Sequence, residues 1–317
     1  MKNHSAIIIG GTGQFGITLS QLLIKRKYKV FVSSRFNKKI KIYRRKYPKI
    51  NFIKLNIYKK NEIKNILNKI KPKIIFYFAG QSSPQLSFKK RLETYQSNYL
   101  GCKNVLEEIL ENNSNIKFLN AASSEMYGHV KGEINLATPK KPLNPYGKAK
   151  KKSFDLVKNY RENFKMKNYN AILFNTESFL RNRNFVIAKI CIAAINAYKF
   201  QKKTTINNIL VSREWNWCEE QCKYLLKFLS KKPQDFILSN GRPYTAKKMI
   251  NFAFGYFNLD FKKFVSYKKN LLRKKDFTIK CSDYISCLRR NDMNRKSKIY
   301  GKKLIYTLIK YYLNEKK

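Results

Sequence analysis

Close to its start the chain runs from a β-branched segment, Ser5 to Ile9, into Gly10-Gly11-Thr12-Gly13-Gln14-Phe15-Gly16, and then into a helical stripe of Ile17, Leu19, Leu22 and Leu23. Strand, glycine turn and helix in so short a span open a βαβ unit. Gly10, Gly13 and Gly16 form GxxGxxG. The turn calls for glycine backbone angles, and a pyrophosphate lying against it tolerates no Cβ. The helix that begins near Gln14 points free N–H groups at that anion. The pattern predicts a dinucleotide site at the first strand–helix junction.

The same alternation continues. Tyr28 to Ser33 and Asn51 to Leu55 predict strands, and Asn61 to Ile70 predicts a helix. Ile74-Ile75-Phe76-Tyr77-Phe78 is a continuous apolar run, as expected of a strand covered on both faces. Phe88 to Leu110 predicts a helix, Lys117 to Ala121 a strand, Pro145 to Phe164 a helix and Asn170 to Phe174 a strand. Strands alternating with helices predict an α/β fold, a doubly wound parallel Rossmann-type sheet. After Asn175 the rhythm weakens, with a helix over Phe185 to Tyr198, a strand over Ile206 to Val211 and a helix over Glu219 to Leu229. The expected organisation is a dinucleotide-binding domain over 1–174 and a smaller, mixed C-terminal substrate-binding domain over 175–317, some of whose segments return to the Rossmann sheet.

Composition narrows the function classes. The 317 residues carry 68 Lys+Arg against 19 Asp+Glu, a formal charge of +49. Lysine is spread along the whole chain, as at Lys25-Arg26-Lys27 and Lys316-Lys317, rather than gathering in one segment, so the charge reads as solvated surface and predicts no specific nucleic-acid partner. Two histidines, His4 and His129, and six cysteines without a CxxC pair indicate neither a metal site nor a disulfide framework. The first residues lack a signal-peptide pattern, and no apolar run reaches the ~18 residues of a membrane span. The expectation is a cytoplasmic protein. Cys218 and Cys222, four apart, read as packing; Trp215 and Trp217 suit either a core or a cover over a nucleotide base.

Cofactor choice is set at the end of the second strand. Ser33-Ser34-Arg35 offers two hydroxyls and a cation where NAD binding wants a carboxylate, so the segment predicts NADP. Arg35 as one more surface cation remains the alternative. Tyr146-Gly147-Lys148-Ala149-Lys150 is a YxxxK pair opening a helix, with phenol and ammonium on one face. The lysine charge favours tyrosinate and makes Tyr146 a usable base. The strand before it ends in Ser123-Ser124-Glu125, two hydroxyls and a carboxylate at the edge that faces the ligand crevice in such sheets.

GGTGQFG, AGQSSP, SSEMYG and PYGKAK, in this order, resemble the extended short-chain dehydrogenase/reductase family. ILFNTES (Ile172 to Ser178), Asn184-Phe185-Val186 and Arg213-Glu214-Trp215 are most similar to its GDP-mannose 4,6-dehydratase branch. The resemblance runs from Ala6 to Phe254, with an echo near Asn291-Asp292. It implies a lyase that oxidises a nucleotide sugar at C4, eliminates water across C5 and C6, and returns the borrowed hydride to C6. Tyr146 would take the O4 proton, Lys150 would hold the ribose, Ser123 would bond O4 and Glu125 would remove the C5 proton. Gly10, Thr12, Gly13, Gln14, Phe15, Gly16, Arg35, Asn56, Ala79, Gly80 and Gln81 would meet the cofactor together with Tyr146 and Lys150. Ser82, Ser124, Asn175, Glu177, Asn184, Val186, Lys189 and Arg213 would meet the substrate. A homo-oligomer, dimer or tetramer, is implied as well.

The departures fall on the substrate side. ESPRRG becomes Glu177-Ser178-Phe179-Leu180-Arg181-Asn182, RDW becomes Arg213-Glu214-Trp215, and Asn56 stands for an aspartate. A C-terminal RPTEV-like stretch is replaced by Cys281 to Cys287. A related reductase or epimerase, and a non-catalytic NADP- or RNA-binding relative, remain the alternative readings.

Overall fold

The computed structural model describes residues 4–112, 115–130, 132–206, 209–267, 281–283, 288 and 297–315. The echo at Asn291-Asp292 and the position of Cys287 lie outside the described residues. The chain divides into two compact units. The first comprises Met1–Gly128, Leu136–Leu173 and Gln221–Leu238; the second comprises His129–Asn135, Phe174–Glu220 and Ser239–Lys317.

The first unit is built on a seven-stranded sheet. Its strands are β1 (Ser5–Ile9), β2 (Lys29–Ser34), β3 (Asn51–Lys54), β4 (Ile74–Tyr77), β5 (Lys117–Ser123), then Asn168–Leu173 and Asp235–Leu238. Every pairing is parallel. The chain lays β2 and β3 on one side of β1 and continues with β4 on the other. The carboxyl ends of β1 and β4 therefore flank the point where strand order reverses, the place where open α/β sheets bind ligands. Ile7, Ile8, Ile75 and Phe76 are buried, as a two-sided sheet requires. Beneath the far half of the sheet a polar ladder crosses three strands. Asn120 Nδ2 donates to Asn170 Oδ1 at 2.9 Å, and Asn170 Nδ2 donates to Asp235 Oδ1 at 2.9 Å. Arg161 Nη1 donates to the same Asp235 oxygen at 2.9 Å.

Helix α1 (Gln14–Lys25) follows the glycine turn. Gly13 is its N-cap, with no side-chain cap bond and no acid in the first turn, so the positive end of the helix faces outward unneutralised. The three glycines do different work. Gly10 has φ +73°, and a Cβ there would lie 2.4 Å from Ala79 Cα. A Cβ on Gly16 would lie 2.1 Å from the Gly11 carbonyl oxygen, so α1 can seat on the turn only with glycine. A Cβ on Gly13 would meet nothing within 4 Å; the space beside it is free for a bound group.

The helix expected over Phe88 to Leu110 is present from Arg91 onward and contains one π-helical turn. Helix Arg91–Tyr95 passes through a π-helical turn, Gln96–Leu100, into helix Gly101–Asn112, and Phe88 to Lys90 precede it as a turn. Side chains bond back along this segment. Ser97 Oγ donates to the Glu93 carbonyl at 2.6 Å and Asn98 Nδ2 to the Thr94 carbonyl at 2.9 Å, competing with the regular ladder.

The second unit packs helices Val186–Phe200, Ala246–Gly255 and Gly301–Asn314 around a core that includes Ile190, Met249, Ile250 and Leu304. Trp215 and Trp217 belong to that core rather than to a surface that could cover a base. Among the described residues, four two-residue strand pairs trim the unit, among them Thr176–Glu177 with Asn216–Trp217 and Ser212–Arg213 with Tyr244–Thr245. The strand expected over Ile206 to Val211 is absent from the described part of that stretch. Pairing falls on Thr204–Thr205 and Ser212–Arg213, while Ile206 and Ile209 turn inward and the Ile209 carbonyl accepts from Lys247 N at 2.8 Å. Cys102, Cys191, Cys218 and Cys222 are buried free thiols.

Candidate active site

The nucleotide side of the first unit is a cleft of about 300 Å³ at the carboxyl ends of β1, β2 and β4. Gly10, Thr12, Arg35, Ala79, Gly80 and Gln81 line it, six of the residues expected to meet the cofactor. Gly13 to Gly16 sit at the start of α1 but are not among the lining residues. Phe15 stacks on Phe78 with ring centroids 5.3 Å apart. Asn56 is not in the lining either: its Oδ1 accepts from Tyr58 N at 3.1 Å in a turn, and its neighbours Leu55, Ile57 and Tyr58 face the cleft. Ser82 is exposed beyond Gln81.

Three features of this cleft were not visible from the sequence. Glu93 reaches Arg35 at 3.2 Å and Lys90 at 3.1 Å, which holds the Glu93 carboxyl below its usual range, chiefly through the Lys90 hydrogen bond. Lys39 and Lys90 join Arg35 along the lining. The π-helical turn fixes the loop after β4, with Gln81 N donating to Ser97 Oγ at 3.2 Å and Asn98 Nδ2 donating to the Gln81 carbonyl at 3.1 Å.

β5 ends at Ser123, and a 3-10 turn, Ser124–Tyr127, carries Glu125. Ser123 Oγ accepts from Glu125 N at 3.2 Å, so this hydroxyl caps the turn as well as standing at the strand end. Ser124 is buried. Helix Pro145–Asn163 starts with Asn144 as N-cap and Pro145 in the first turn, a start that fixes φ and satisfies an orphan N–H. Tyr146 and Lys150 lie one turn apart on its buried face, with the Lys150 ammonium 5.9 Å from the Tyr146 ring centroid. Lys150 Nζ donates to the Ala121 carbonyl at 2.8 Å, and burial pulls its pKa down to about 8. At neutral pH it is still mostly charged. Helix and turn touch closely: a Cβ on Gly147 would lie 2.5 Å from the Glu125 carbonyl oxygen. Across this contact Asn144 Nδ2 donates to Glu125 Oε2 at 2.8 Å. Ser123, Glu125, Tyr146 and Lys150 thus belong to one junction of strand end, turn and helix start in the first unit.

The model of the family described as GDP-mannose 4,6 dehydratase matches residues 7–295. The chain belongs to this family. Among curated relatives, GDP-mannose 4,6 dehydratase 1 of Arabidopsis thaliana is 29% identical over 294 residues, covering 84% of this chain and 79% of that protein. GDP-mannose 4,6 dehydratase of Drosophila melanogaster is 30% identical over 268 residues, covering 80% and 68%. Among solved structures, the dTDP-glucose 4,6-dehydratase of Streptomyces venezuelae, with NAD bound, superposes with a TM-score of 0.85 at 16% identity, covering 98% of this chain and 97% of that one. UDP-glucose 4-epimerase of Thermotoga maritima gives 0.83 at 18%, covering 98% and 100%. These structures share the fold, a Rossmann-type sheet with flanking helices.

Within this GDP-mannose 4,6 dehydratase family member, the second unit holds the remaining candidates. Asn175 precedes and Glu177 ends the short strand Thr176–Glu177 that pairs with Asn216–Trp217, and the Asn175 carbonyl accepts from Asn216 N and Nδ2, each at 2.9 Å. Asn184 and Lys189 are exposed, and Val186 opens helix Val186–Phe200. Arg213 is buried, its Nη1 donating to the Ser212 carbonyl at 2.8 Å. The segment that departs from the family pattern packs against its own unit. Phe179 stacks on Tyr311 at 4.3 Å and meets Trp217 edge-on at 4.9 Å, and the Arg181 guanidinium lies 3.5 Å from the Phe185 ring centroid.

Two buried carboxyls shape this unit. Glu214 is fully buried beside Arg213. It accepts from Asn240 N at 3.1 Å, Gly241 N at 2.7 Å and Ser282 Oγ at 3.0 Å, and from Ser239 Oγ and Ser282 N. Burial raises its pKa, and these donors oppose the rise. Glu177 has no comparable set. Its Oε2 is 3.8 Å from Arg181 Nε without a hydrogen bond, and burial pushes the carboxyl up to about 7, with Arg181 pulling the other way. Because the folded pKa exceeds the unfolded one, the stability this group lends is full below pH 4.5 and lost as pH rises through about 7. Glu177→Gln is therefore expected to stabilise the protein at pH 8, by up to about 3 kcal/mol, and to leave it unchanged at pH 4. Thermal melts at the two pH values check this.

Proposed function

We propose that this chain is an NADP-dependent nucleotide-sugar 4,6-dehydratase, a lyase converting GDP-mannose to GDP-4-keto-6-deoxymannose and water. The observation that carries the reading is the junction just described: a YxxxK helix start and a carboxylate on the adjoining turn, at the strand ends of a dinucleotide-type sheet. An alcohol oxidation needs a base for one O–H proton, and an elimination needs a second base for a carbon acid. The family's curated members carry the name GDP-mannose 4,6 dehydratase.

The first unit is read as the cofactor-binding domain and the second as the substrate-binding domain. What supports a dinucleotide lies beside the lining residues of the cleft: Gly13 leaves space where a Cβ would stand, and the start of α1, without a side-chain cap, suits a pyrophosphate. Arg35, Lys39 and Lys90 supply cations at the ribose end, which favours a 2′-phosphate. When bound, NADP supplies the store for the hydride that leaves C4 and comes back at C6. The chain's own groups handle protons. Tyr146 Oη takes the O4 proton, with the Lys150 charge stabilising the phenolate, and Ser123 Oγ bonds O4. The 4-keto group acidifies C5; Glu125 takes the C5 proton and gives it to the hydroxide departing from C6, which leaves as water, and C5 regains a proton as the hydride returns to C6, so that the O4 proton taken by Tyr146 makes up the balance. Arg213 is assigned to the diphosphate, and Ser82, Ser124, Asn175, Glu177, Asn184, Val186 and Lys189 to the remainder of the substrate. The reading extends to a cytoplasmic homo-oligomer without a specific nucleic-acid partner; among the described residues no helix is long and apolar enough to cross a membrane.

GDP-mannose deuterated at C4 tests the activity. The expected product is a 4-keto-6-deoxy sugar with the label at C6. Return of the label to C4 would identify an epimerase, stoichiometric consumption of NADPH a reductase, and absence of water loss with GDP, dTDP, UDP and CDP sugars alike would overturn the proposal. The cofactor choice has its own test. Arg35→Ala is expected to weaken NADPH binding about tenfold while leaving NADH within about twofold, since a phosphate contact of this kind is worth roughly 1.5–3 kcal/mol. Fluorescence titration of both dinucleotides measures it.

A further inference from the structure

Asn144 does two things with one amide. Its Oδ1 accepts from Gly147 N at 2.8 Å and caps the helix that carries Tyr146; its Nδ2 donates to Glu125 Oε2 at 2.8 Å. The orientation of the amide is fixed by its partners, because a backbone N–H can face only the oxygen and a carboxylate only the NH₂. The side chain is buried, 6% exposed. Capping alone does not call for asparagine. Serine, threonine and aspartate cap as well, but serine is too short to offer a donor on the far side, and aspartate would set one carboxylate against another. Among common cap residues, asparagine alone satisfies both partners. Gly147 fixes the same contact from a second side, since any Cβ there would collide with the Glu125 backbone.

We propose that Asn144 is a positioning residue that holds the Glu125 carboxylate on the helix start carrying Tyr146, so that the C5 base is aimed in register with the O4 base. The proposal rests on the assignment of Glu125 as C5 base made above. It predicts that Asn144 governs the elimination half of the reaction and leaves the oxidation half alone.

Asn144→Ser keeps a cap and removes only the link to Glu125, so it separates aiming from folding. Its melting temperature is expected to stay within about 2 °C of the parent and KM for GDP-mannose within about twofold, while kcat falls about tenfold, as for loss of a hydrogen bond to a charged group. Single turnovers quenched into borohydride read the partition. Trapped 4-keto sugar that still carries its C6 hydroxyl should rise in Asn144→Ser and dominate in Glu125→Gln. If Asn144→Ser matches the parent in rate and trapped intermediate while Glu125→Gln stalls, the positioning role is refuted and the base assignment stands. If Asn144→Ser loses melting temperature or KM without building up that intermediate, the residue is a cap and nothing more. If Glu125→Gln itself turns over normally, the fault lies in the base assignment, and the positioning role falls with it.

Discussion

Tyr146→Phe is expected to lower kcat for GDP-mannose about 10³-fold while NADPH binding stays within about twofold. The substitution removes one oxygen from a ring that is 9% exposed on the first turn of helix Pro145–Asn163, so packing survives and only proton transfer is lost. A positioned base contributes roughly 10² to 10⁴ in rate. Steady-state turnover and fluorescence titration measure the two quantities separately. A loss below about tenfold would move the O4 proton to another group and leave Tyr146 a packing residue.

Lys150→Met is expected to cut kcat by about 10²- to 10³-fold and, in protein free of ligand, to raise stability at pH 7. The ammonium is buried with the Ala121 carbonyl as acceptor, and its pKa falls from 10.5 to about 8. A lowered folded pKa means that above pH 10.5 the neutral amine costs nothing, and that stability drops as pH falls through about 8, where folding must bury a charge. Below that window the penalty is constant, on the order of 3 kcal/mol. Methionine fills a similar volume without it. Urea unfolding at pH 7 and pH 10.5 should show a stabilised variant at the lower pH and a difference near zero at the higher. A variant less stable than the parent at pH 7 would mean that the carbonyl contact outweighs the buried charge.

The parallel sheet was legible because a strand covered on both faces writes itself as an apolar run. Ile7 to Ile9 and Ile74 to Tyr77 are such runs, and each is buried as read. The helix over Phe88 to Leu110 was legible but for its start at Arg91 and its π-helical turn, because hydrophobic period does not register side chains that bond back to the backbone, as Ser97 and Asn98 do. In the described part of the stretch Ile206 to Val211 no strand forms, because β-branched residues packing as single buried points, as Ile206 and Ile209 do, look like a strand in sequence. At the candidate site, local placement was legible where spacing is fixed: the glycine turn between β1 and α1, and Tyr146 and Lys150 one turn apart on the same helix. Partnerships between distant segments were not. Nothing local to Asn144 announces Glu125, nor does Arg35 announce Glu93, since a chain of sequence carries no record of which polar atoms meet across a fold. Asn144-Pro145 was readable as a helix start, and its second hydrogen bond was not.

The clasp around Glu214 sets a timetable for a nascent chain. Its donors come from Ser239, Asn240, Gly241 and Ser282, the last 68 positions downstream. A carboxylate sealed from water without those donors is costly by several kcal/mol, so the burial of Glu214 beside Arg213 depends on segments that follow it in the chain by as much as 68 positions. The edge strand Asp235–Leu238 imposes a similar wait on the sheet. Ser282→Ala, which removes one of the hydroxyl donors to Glu214, should therefore open the chain around Arg213 to protease more readily than the parent.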